Sequence, residues 1–195
     1  MCPHSGPHGP VVSIFGSASP APDSPAYEAA RTAGRLLAEA GCRVQTGGYG
    51  GVMAAACRGA REAGGHAIGV TCDTIEAWRP GAANPWFAEE RRQPTLDARL
   101  RVLIESCDAA LVLPGGPGTL AEFALLWNRM QVGELEPRPL IAVGSFWEAV
   151  LEAFSDPAHV PAAHRALVRT APDASAAVEL LLAQLGRARG PGPAP

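Results

Sequence analysis

Short apolar runs that end in glycine-rich turns alternate with helical patterns along most of this chain. The first run, Val11–Phe15, leads into Gly16-Ser17-Ala18-Ser19, and a second predicted strand, Arg43–Thr46, leads into residues 47–51. Another run, residues 108–113, leads into residues 115–119. Strands that alternate with helices pair in parallel, because each helix carries the chain back to the same end of the sheet. The pattern predicts an α/β fold of three layers, in which helices cover both faces of a parallel sheet.

The turn and cap residues divide the rest of the chain into further elements. Ser24 is a typical N-cap and Pro25 a typical first helical residue, so a helix is expected up to about Ala40. Further helices are predicted at 52–63, 95–107, 120–130, 145–154 and 173–185, and further strands at 66–71, 87–91, 139–143 and 167–170. Residues 72–86 contain Pro80, Gly81 and Pro85 and are expected to be irregular. We therefore expect a single Rossmann-like nucleotide-binding domain at 11–185, with disordered tails at 1–10 and 186–195.

Composition excludes several classes of function. The net charge is −3 and there is no basic tract, which disfavours a nucleic acid polymer as the partner. No apolar run approaches ~18 residues, so no membrane span is expected. The first ten residues lack the pattern of a signal peptide, which indicates a cytoplasmic protein. The five cysteines form no C-x-x-C pair, so neither structural zinc nor a disulfide framework is expected.

All 16 basic residues are arginine, and this absence of lysine limits the chemistry further. It excludes a P-loop lysine and a lysine Schiff base to pyridoxal phosphate, and we expect no cofactor and no metal site. The dinucleotide fingerprint G-x-G-x-x-G also fails, because Met53 occupies its third glycine position after Gly48 and Gly50. The three glycine turns are expected to share one crevice at the edge of the sheet. A mononucleotide fits that crevice better than a dinucleotide.

The turn from Pro114 to Glu122 is the strongest candidate for a binding site. Glycine N–H groups and a helix N-terminus directly after a strand form a site for an anion such as phosphate. Thr119 could cap that helix or bind a phosphate oxygen. Glu122 could complement the helix dipole, complete a capping box with Thr119, or serve as a catalytic acid or base. Arg99 could be a solvated helix residue or part of the site.

Taken together, these motifs resemble the LONELY GUY (LOG) family of cytokinin riboside 5′-monophosphate phosphoribohydrolases and their bacterial relatives. The family pattern P-G-G-x-G-T-x-x-E is met in full by Pro114 to Glu122. The upstream pattern G-G-G-x-x-G-L-M is matched loosely by residues 47–53, and G-S-S by Gly16-Ser17-Ala18. Of the second signature, M-H-E-R-K, only Arg99 is retained within residues 96–100. The resemblance covers roughly residues 11–154.

The resemblance implies a function and a set of site residues. It implies a nucleoside 5′-monophosphate phosphoribohydrolase that hydrolyses the N-glycosidic bond to a free base and ribose 5-phosphate, as in cytokinin activation. The small-molecule ligand would be AMP or a cytokinin riboside monophosphate. Arg99 and Glu122 match the family's catalytic pair. The phosphate would lie on Gly115, Gly116, Gly118 and Thr119, and the nucleotide pocket would be formed by Gly16, Ser17, Gly47, Gly48 and Met53.

Two further expectations follow from the resemblance and from the departures from it. Ala98, Leu100 and Ala121 replace charged residues of the family patterns. These replacements leave open a non-catalytic nucleotide or molybdenum-cofactor binding or carrier protein on the same fold. The resemblance and the mixed apolar helix at 123–130 favour a homodimer, with Trp127 and Met130 at the helix surface; the alternative is that Trp127 is an ordinary core residue.

Overall fold

Seven parallel strands form one sheet in the computed structural model, which describes residues 9–80 and 83–188. The spatial order is β4-β3-β2-β1-β5-β6-β7. The strands are β1 Val11–Phe15, β2 Arg43–Thr46, β3 Ala67–Gly69, β4 Glu89–Glu90, β5 Ala109–Val112, β6 Leu140–Val143 and β7 Arg169–Ala171. The predicted parallel α/β sheet is confirmed.

Helices cover both faces of this sheet. They are α1 Pro25–Glu39, α2 Val52–Glu62, α3 Asp73–Trp78, α4 Leu96–Glu105, α5 Pro117–Gln131, α6 Ser145–Phe154, α7 Ala162–Arg165 and α8 Ala174–Ala188. The apolar faces of α1, α2 and α8 pack on one side, against Val12 and Ile14 of β1. Those of α4, α5 and α6 pack on the other, against Val11 and Phe15. Successive side chains of a buried strand point to opposite faces, which explains why every residue of β1 is buried and all but Ser13 are apolar.

Local sequence explains how the first two helices are placed. The Ser24 hydroxyl accepts a hydrogen bond from the Tyr27 N–H at 3.3 Å and so caps α1, as predicted. Gly34 lies where α1 crosses α2, and a Cβ there would collide with the backbone carbonyl of Ala56. The N–H of Val52, which begins α2, donates to the Ser17 carbonyl at 2.9 Å. This contact holds the start of α2 against the glycine turn after β1.

Several boundaries differ from the sequence-based expectation. Residues 73–78 form α3 within the segment predicted to be irregular, because a helix of so few residues leaves little periodicity. The short helix α7 was also not predicted. Helix α5 begins at Pro117 rather than 120, since proline suits a first helical position. On the apolar face of α1, Ala33 and Leu37 are buried, whereas Ala29 and Leu36 are only partly so.

The predicted tails lie largely outside the described residues. Of the N-terminal segment, Gly9 and Pro10 are described, and their carbonyls accept hydrogen bonds from the side chain and the backbone N–H of Arg43. Of the C-terminal segment, α8 continues as far as Ala188. The division of the chain into one domain and two tails stays a prediction.

Candidate active site

The switch in strand order places a crevice between β1 and β5. The chain runs outward from β1 through β2 and β3 to β4, and then returns to place β5 on the other side of β1. The turns that follow β1 and β5 therefore diverge at one edge of the sheet, where ligands of such folds bind. The two turns are also joined, because the Ser17 N–H donates to the Pro114 carbonyl at 3.2 Å.

The N-terminus of α5 forms one wall of this crevice. Gly116 is the N-cap residue and has no side chain with which to accept the first N–H groups, and Pro117 has no N–H. The N–H of Leu120 is the first to bond within the helix, to the Gly116 carbonyl at 3.0 Å. The N–H groups of Gly118 and Thr119 thus lack a helical partner, and the helix dipole adds partial positive charge at this end. This arrangement can bind an anion.

The helix start at Pro117 decides between two readings of Thr119. Because Gly116 is the N-cap, Thr119 is the third helical residue and does not cap α5. Glu122 then lies in the second turn, so the capping box with Thr119 is wrong. Thr119 is buried, yet it lines the cavity together with Glu122.

Arg99 and Glu122 form a buried ion pair at the base of the cavity. Arg99 is 5% exposed and Glu122 6%, and the Arg99 Nη1 lies 3.4 Å from the Glu122 Oε1. The solvated alternative for Arg99 is therefore wrong. Its guanidinium also donates from Nε to the Val70 carbonyl at 2.8 Å and from Nη2 to the Gly47 carbonyl at 3.2 Å. Three bonds in three directions hold the guanidinium, which also lies 5.6 Å from the centre of the Tyr49 ring.

Burial sets the protonation of Glu122. Removal of the carboxyl from water raises the pKa of Glu122 to about 7, although the Arg99 guanidinium favours the ionised form and lowers it. The carboxyl can therefore exchange a proton near neutral pH. A carboxyl with a raised pKa beside a fixed cation, facing a cavity, is an arrangement typical of catalytic sites.

The cavity above this pair has a volume of about 400 Å³. It brings together eight of the residues predicted for the site: Gly16, Ser17, Met53, Arg99, Gly116, Gly118, Thr119 and Glu122. They come from the turns after β1 and β5, from the start of α2, and from α4 and α5, so residues far apart in the chain meet in one place. The size suits a small molecule.

The other three predicted residues lie behind the cavity wall. Gly47 supports Arg99, because a Cβ there would occupy the position of the guanidinium. Gly48 has φ +77° and lies against Thr71, so its conformation requires glycine. A Cβ on Gly115 would collide with the side chain of Thr119. The structure therefore gives these glycines positions that shape the cavity rather than line it.

Sequence reasoning missed the residues at the cavity mouth. The lining also includes Ala18, Ser19, Tyr49, Ile75, Trp78, Arg79, Leu96 and Pro117. Trp78 was passed over because it lies in the segment predicted to be irregular. An aromatic residue beside an arginine in the loop after a strand was the only available signal.

Two kinds of feature are absent from the described residues, 9–80 and 83–188. No helix there is long and apolar enough to cross a membrane. No group of three or more histidine, cysteine and acidic side chains there is placed to hold a metal ion.

Comparison with known proteins relates this chain to two kinds of protein. The model of the SLOG cluster4 family matches residues 9–156. A protein of Oryza sativa subsp. japonica, described as a probable cytokinin riboside 5′-monophosphate phosphoribohydrolase, is 31% identical over 144 residues. These are 71% of this chain and 62% of that protein. A cytokinin riboside 5′-monophosphate phosphoribohydrolase of Rhodococcoides fascians is 30% identical over 122 residues, 61% of each chain. The match thus spans less than two thirds of either relative.

Solved structures give similar folds over nearly the whole chain. The molybdenum cofactor carrier protein of Chlamydomonas reinhardtii has a TM-score of 0.70 and 27% identity, and the match covers 91% of this chain and 98% of that one. The molybdenum cofactor binding protein of Rippkaea orientalis has a TM-score of 0.73 with 22% identity, covering 93% and 100% of the two chains. At that identity the second likeness concerns the fold alone.

Proposed function

The chain belongs to the SLOG cluster4 family, and from this membership and the cavity geometry we propose that it is a nucleoside 5′-monophosphate phosphoribohydrolase. The reaction adds water across the N-glycosidic bond and yields a free base and ribose 5-phosphate. The observation that carries the proposal is the buried Arg99–Glu122 pair beside the open N-terminus of α5.

The spacing along α5 supports this assignment. Gly118 and Glu122 are four residues apart and so share one face of the helix, about 6 Å apart along its axis. The N–H groups of Gly118 and Thr119 would bind the 5′-phosphate. The ribose would then extend from the phosphate toward the Glu122 carboxylate. Such a pose brings the carboxylate to the sugar, where positive charge develops as the base departs.

Glu122 would act on both the sugar and the water. As a carboxylate it stabilises the positive charge that forms on the ribose ring, and it accepts the proton of the water that attacks C1′. The departing base takes a proton on the nitrogen that was bonded to C1′, so the proton count balances. A pKa of about 7 suits this exchange, because the group then accepts and releases a proton near neutral pH.

Arg99 would position Glu122 and favour its ionised form. Its bonds to the carbonyls of Val70 and Gly47 fix the guanidinium independently of any ligand. Two of the five N–H groups of an arginine remain after the three observed bonds and could contact the ligand. An arginine held in this way orients the carboxylate before the substrate arrives.

The test is release of free base. AMP and isopentenyladenosine 5′-monophosphate are incubated with the protein, and base and ribose 5-phosphate are separated by chromatography. Glu122→Gln is expected to lower the rate at least ~100-fold, within the range for loss of an acid–base group. The control Glu148→Gln, at an exposed position of α6, is expected to leave it unchanged. Nucleotide binding by the wild-type protein without release of base from any nucleotide would refute the enzyme proposal.

A carrier function is the second candidate. The likeness to the Chlamydomonas reinhardtii carrier covers 98% of that protein, and Ala98, Leu100 and Ala121 replace charged residues of the phosphoribohydrolase patterns. A molybdenum cofactor also has a phosphate, which the α5 N-terminus could bind. Mass spectrometry of the purified protein separates the candidates: a stoichiometric bound pterin favours the carrier, and release of base favours the hydrolase.

We also propose a homodimer, through a different surface from the one first expected. Trp127 and Met130 are 6% and 4% exposed and belong to the core, so they offer no contact surface. Val132 of the α5 C-cap is 61% exposed and borders a groove between α4 and α5. This groove also carries Asp97 and Arg101, charges of both signs that a second copy can pair, whereas Arg129 is already paired with Glu105 and Glu134. Light scattering at micromolar concentration should give the mass of two chains, and Val132→Glu should reduce it to one.

A further inference from the structure

The cavity changes character from its base to its mouth. Its base is polar, with the Arg99–Glu122 pair and Thr119. Its mouth is formed by Ile75 and Trp78 of α3 and by Leu96, the first residue of α4. Trp78 is 80% exposed and Leu96 46%. Such a cavity matches a ligand with one polar end and one flat apolar end.

Strand spacing sets the length that such a ligand must span. Helix α5 follows β5, and α3 follows β3, with β1 and β2 between them in the sheet. Three steps of about 4.8 Å separate the ends of β5 and β3 by roughly 14 Å. Arg99 contacts the Gly47 carbonyl after β2 and the Val70 carbonyl after β3, and so lies between the two ends. A nucleotide with its phosphate at α5 would extend past Glu122 toward α3.

Trp78 has little structural reason for its position. A side chain that is 80% exposed contributes little burial to the stability of the fold. Trp127 and Trp147 are instead buried, at 6% and 1%, and pack in the core. An exposed tryptophan that lines a cavity offers a flat face to a ligand.

Few polar side chains at this end could read the edge of a base. The Tyr49 hydroxyl is engaged with Cys72, accepting from its N–H at 2.8 Å and lying 3.2 Å from its carbonyl. Among the lining residues, Ser19 and Arg79 are the other polar side chains near the mouth. Recognition through hydrogen bonds to particular base atoms is therefore poorly supported, whereas stacking suits every aromatic base.

We propose that Trp78 is the base-binding residue of this site and that it holds the ligand by stacking on an aromatic ring. The inference rests on the nucleotide ligand of the proposed function. It extends that function by making the aromatic face, rather than the base edge, the feature that is recognised. Purine nucleotides then bind with similar affinities, and pyrimidine nucleotides bind more weakly because their single ring stacks over a smaller area.

A ligand that cannot be hydrolysed tests this inference apart from catalysis. Formycin 5′-monophosphate is such a ligand, because its base is joined to the ribose by a carbon–carbon bond. Its affinity and that of ribose 5-phosphate, which has no base, are measured by calorimetry for the wild type, Trp78→Ala and Trp78→Phe. Phe154→Ala is the matched control, since Phe154 is 66% exposed and does not line the cavity.

The expected result is specific to the base. Trp78→Ala should weaken formycin 5′-monophosphate binding about 5- to 150-fold, the factor of an ordinary base–aromatic stack, and leave ribose 5-phosphate binding unchanged. Trp78→Phe should restore most of the loss, and Phe154→Ala should change neither affinity. In the wild type the nucleotide should also quench tryptophan fluorescence and protect it from iodide, and both effects should be absent in Trp78→Phe.

The outcomes separate this inference from the proposed reaction. Unchanged nucleotide affinity in Trp78→Ala, or equal weakening of both ligands, would overturn the stacking role even if AMP is hydrolysed. The expected pattern of affinities without release of base from any nucleotide would uphold the stacking role and refute the hydrolase. A wild-type protein that does not bind formycin 5′-monophosphate refutes the stacking role as well.

Discussion

Replacement of Gly118 by alanine should separate ligand binding from folding. Gly118 is exposed, lies in the first turn of α5 and lines the cavity. A Cβ at this position meets no atom within 4 Å, so the folded protein has room for it. The same methyl group would enter the space in which the proposed phosphate contacts the N–H groups of Gly118 and Thr119. The substitution should therefore spare the fold and harm only the ligand.

The structure permits an estimate of both effects. Alanine is up to about 1 kcal/mol better than glycine within a helix, and for a chain of this size this corresponds to about 2–4 °C in Tm. Loss of one hydrogen bond to a charged group costs about 1.5–3 kcal/mol, which is roughly 10- to 150-fold in affinity. Gly118→Ala should thus keep or raise the Tm while formycin 5′-monophosphate and ribose 5-phosphate both bind at least tenfold more weakly.

Gly186→Ala is the matched control. Gly186 lies in α8, away from the cavity, and a Cβ there also meets no atom within 4 Å. It should change the Tm in the same direction as Gly118→Ala without effect on either ligand. Thermal unfolding and calorimetry measure the two quantities. If Gly118→Ala binds both ligands within twofold of the wild type, the phosphate does not lie on this helix terminus, and the proposed pose is refuted.

Three other predictions concern the packing of two glycines and the burial of Glu122. Gly115→Ala brings a Cβ to 2.7 Å from the Cβ of Thr119, and closer still to its hydroxyl, and should cost about 1–3 kcal/mol of unfolding free energy, partly restored by Thr119→Ala, which removes that hydroxyl; an unchanged Tm would contradict the packing described. Gly34→Ala places a Cβ 2.8 Å from the carbonyl carbon of Ala56 and should lower the Tm without changing the midpoint pH of activity. The raised pKa of Glu122 means that the folded protein holds a proton which the unfolded chain has already lost, so stability should fall as the pH rises from about 4.5 to 7. Relative to Glu122→Gln, the wild-type protein should lose about 3 kcal/mol of unfolding free energy over this pH range, because each unit of pKa shift corresponds to ~1.4 kcal/mol. If the difference in unfolding free energy between the two proteins is the same at pH 4 and pH 8, the raised pKa is refuted.

Local signals in the sequence predicted most of the secondary structure. Ser24 and Pro25 begin α1 as expected, and α6 has its predicted bounds, because caps and helix starts depend on neighbouring residues. The start of α5 was misplaced by three residues, and that error changed the interpretation of Thr119 from a possible cap to a residue of the cavity. Helix α3 was missed because one and a half turns leave too little periodicity to distinguish it from a loop.

One part of the candidate site could be predicted from local sequence and another part could not, for a physical reason. Pro114 to Glu122 is continuous in sequence, so a strand, a turn and a helix start can be read from neighbouring residues. Arg99 has no such local signal, since its burial depends on carbonyl groups of Gly47 and Val70 that reach it only in the folded sheet. Arg99 was identified as a site residue from the family resemblance, and not from its position in the helical pattern.

Residue types and their local order were sufficient to predict the parallel α/β architecture, a helix terminus after β5 and the absence of lysine chemistry. The folded structure was needed to establish that Arg99 and Glu122 form a buried pair and that Trp127 belongs to the core. It also decided that Trp78 lies at the mouth of the same cavity. These relations depend on the strand order β3-β2-β1-β5, which brings together turns that are distant along the chain. Burial and the pKa of Glu122 follow from that assembly.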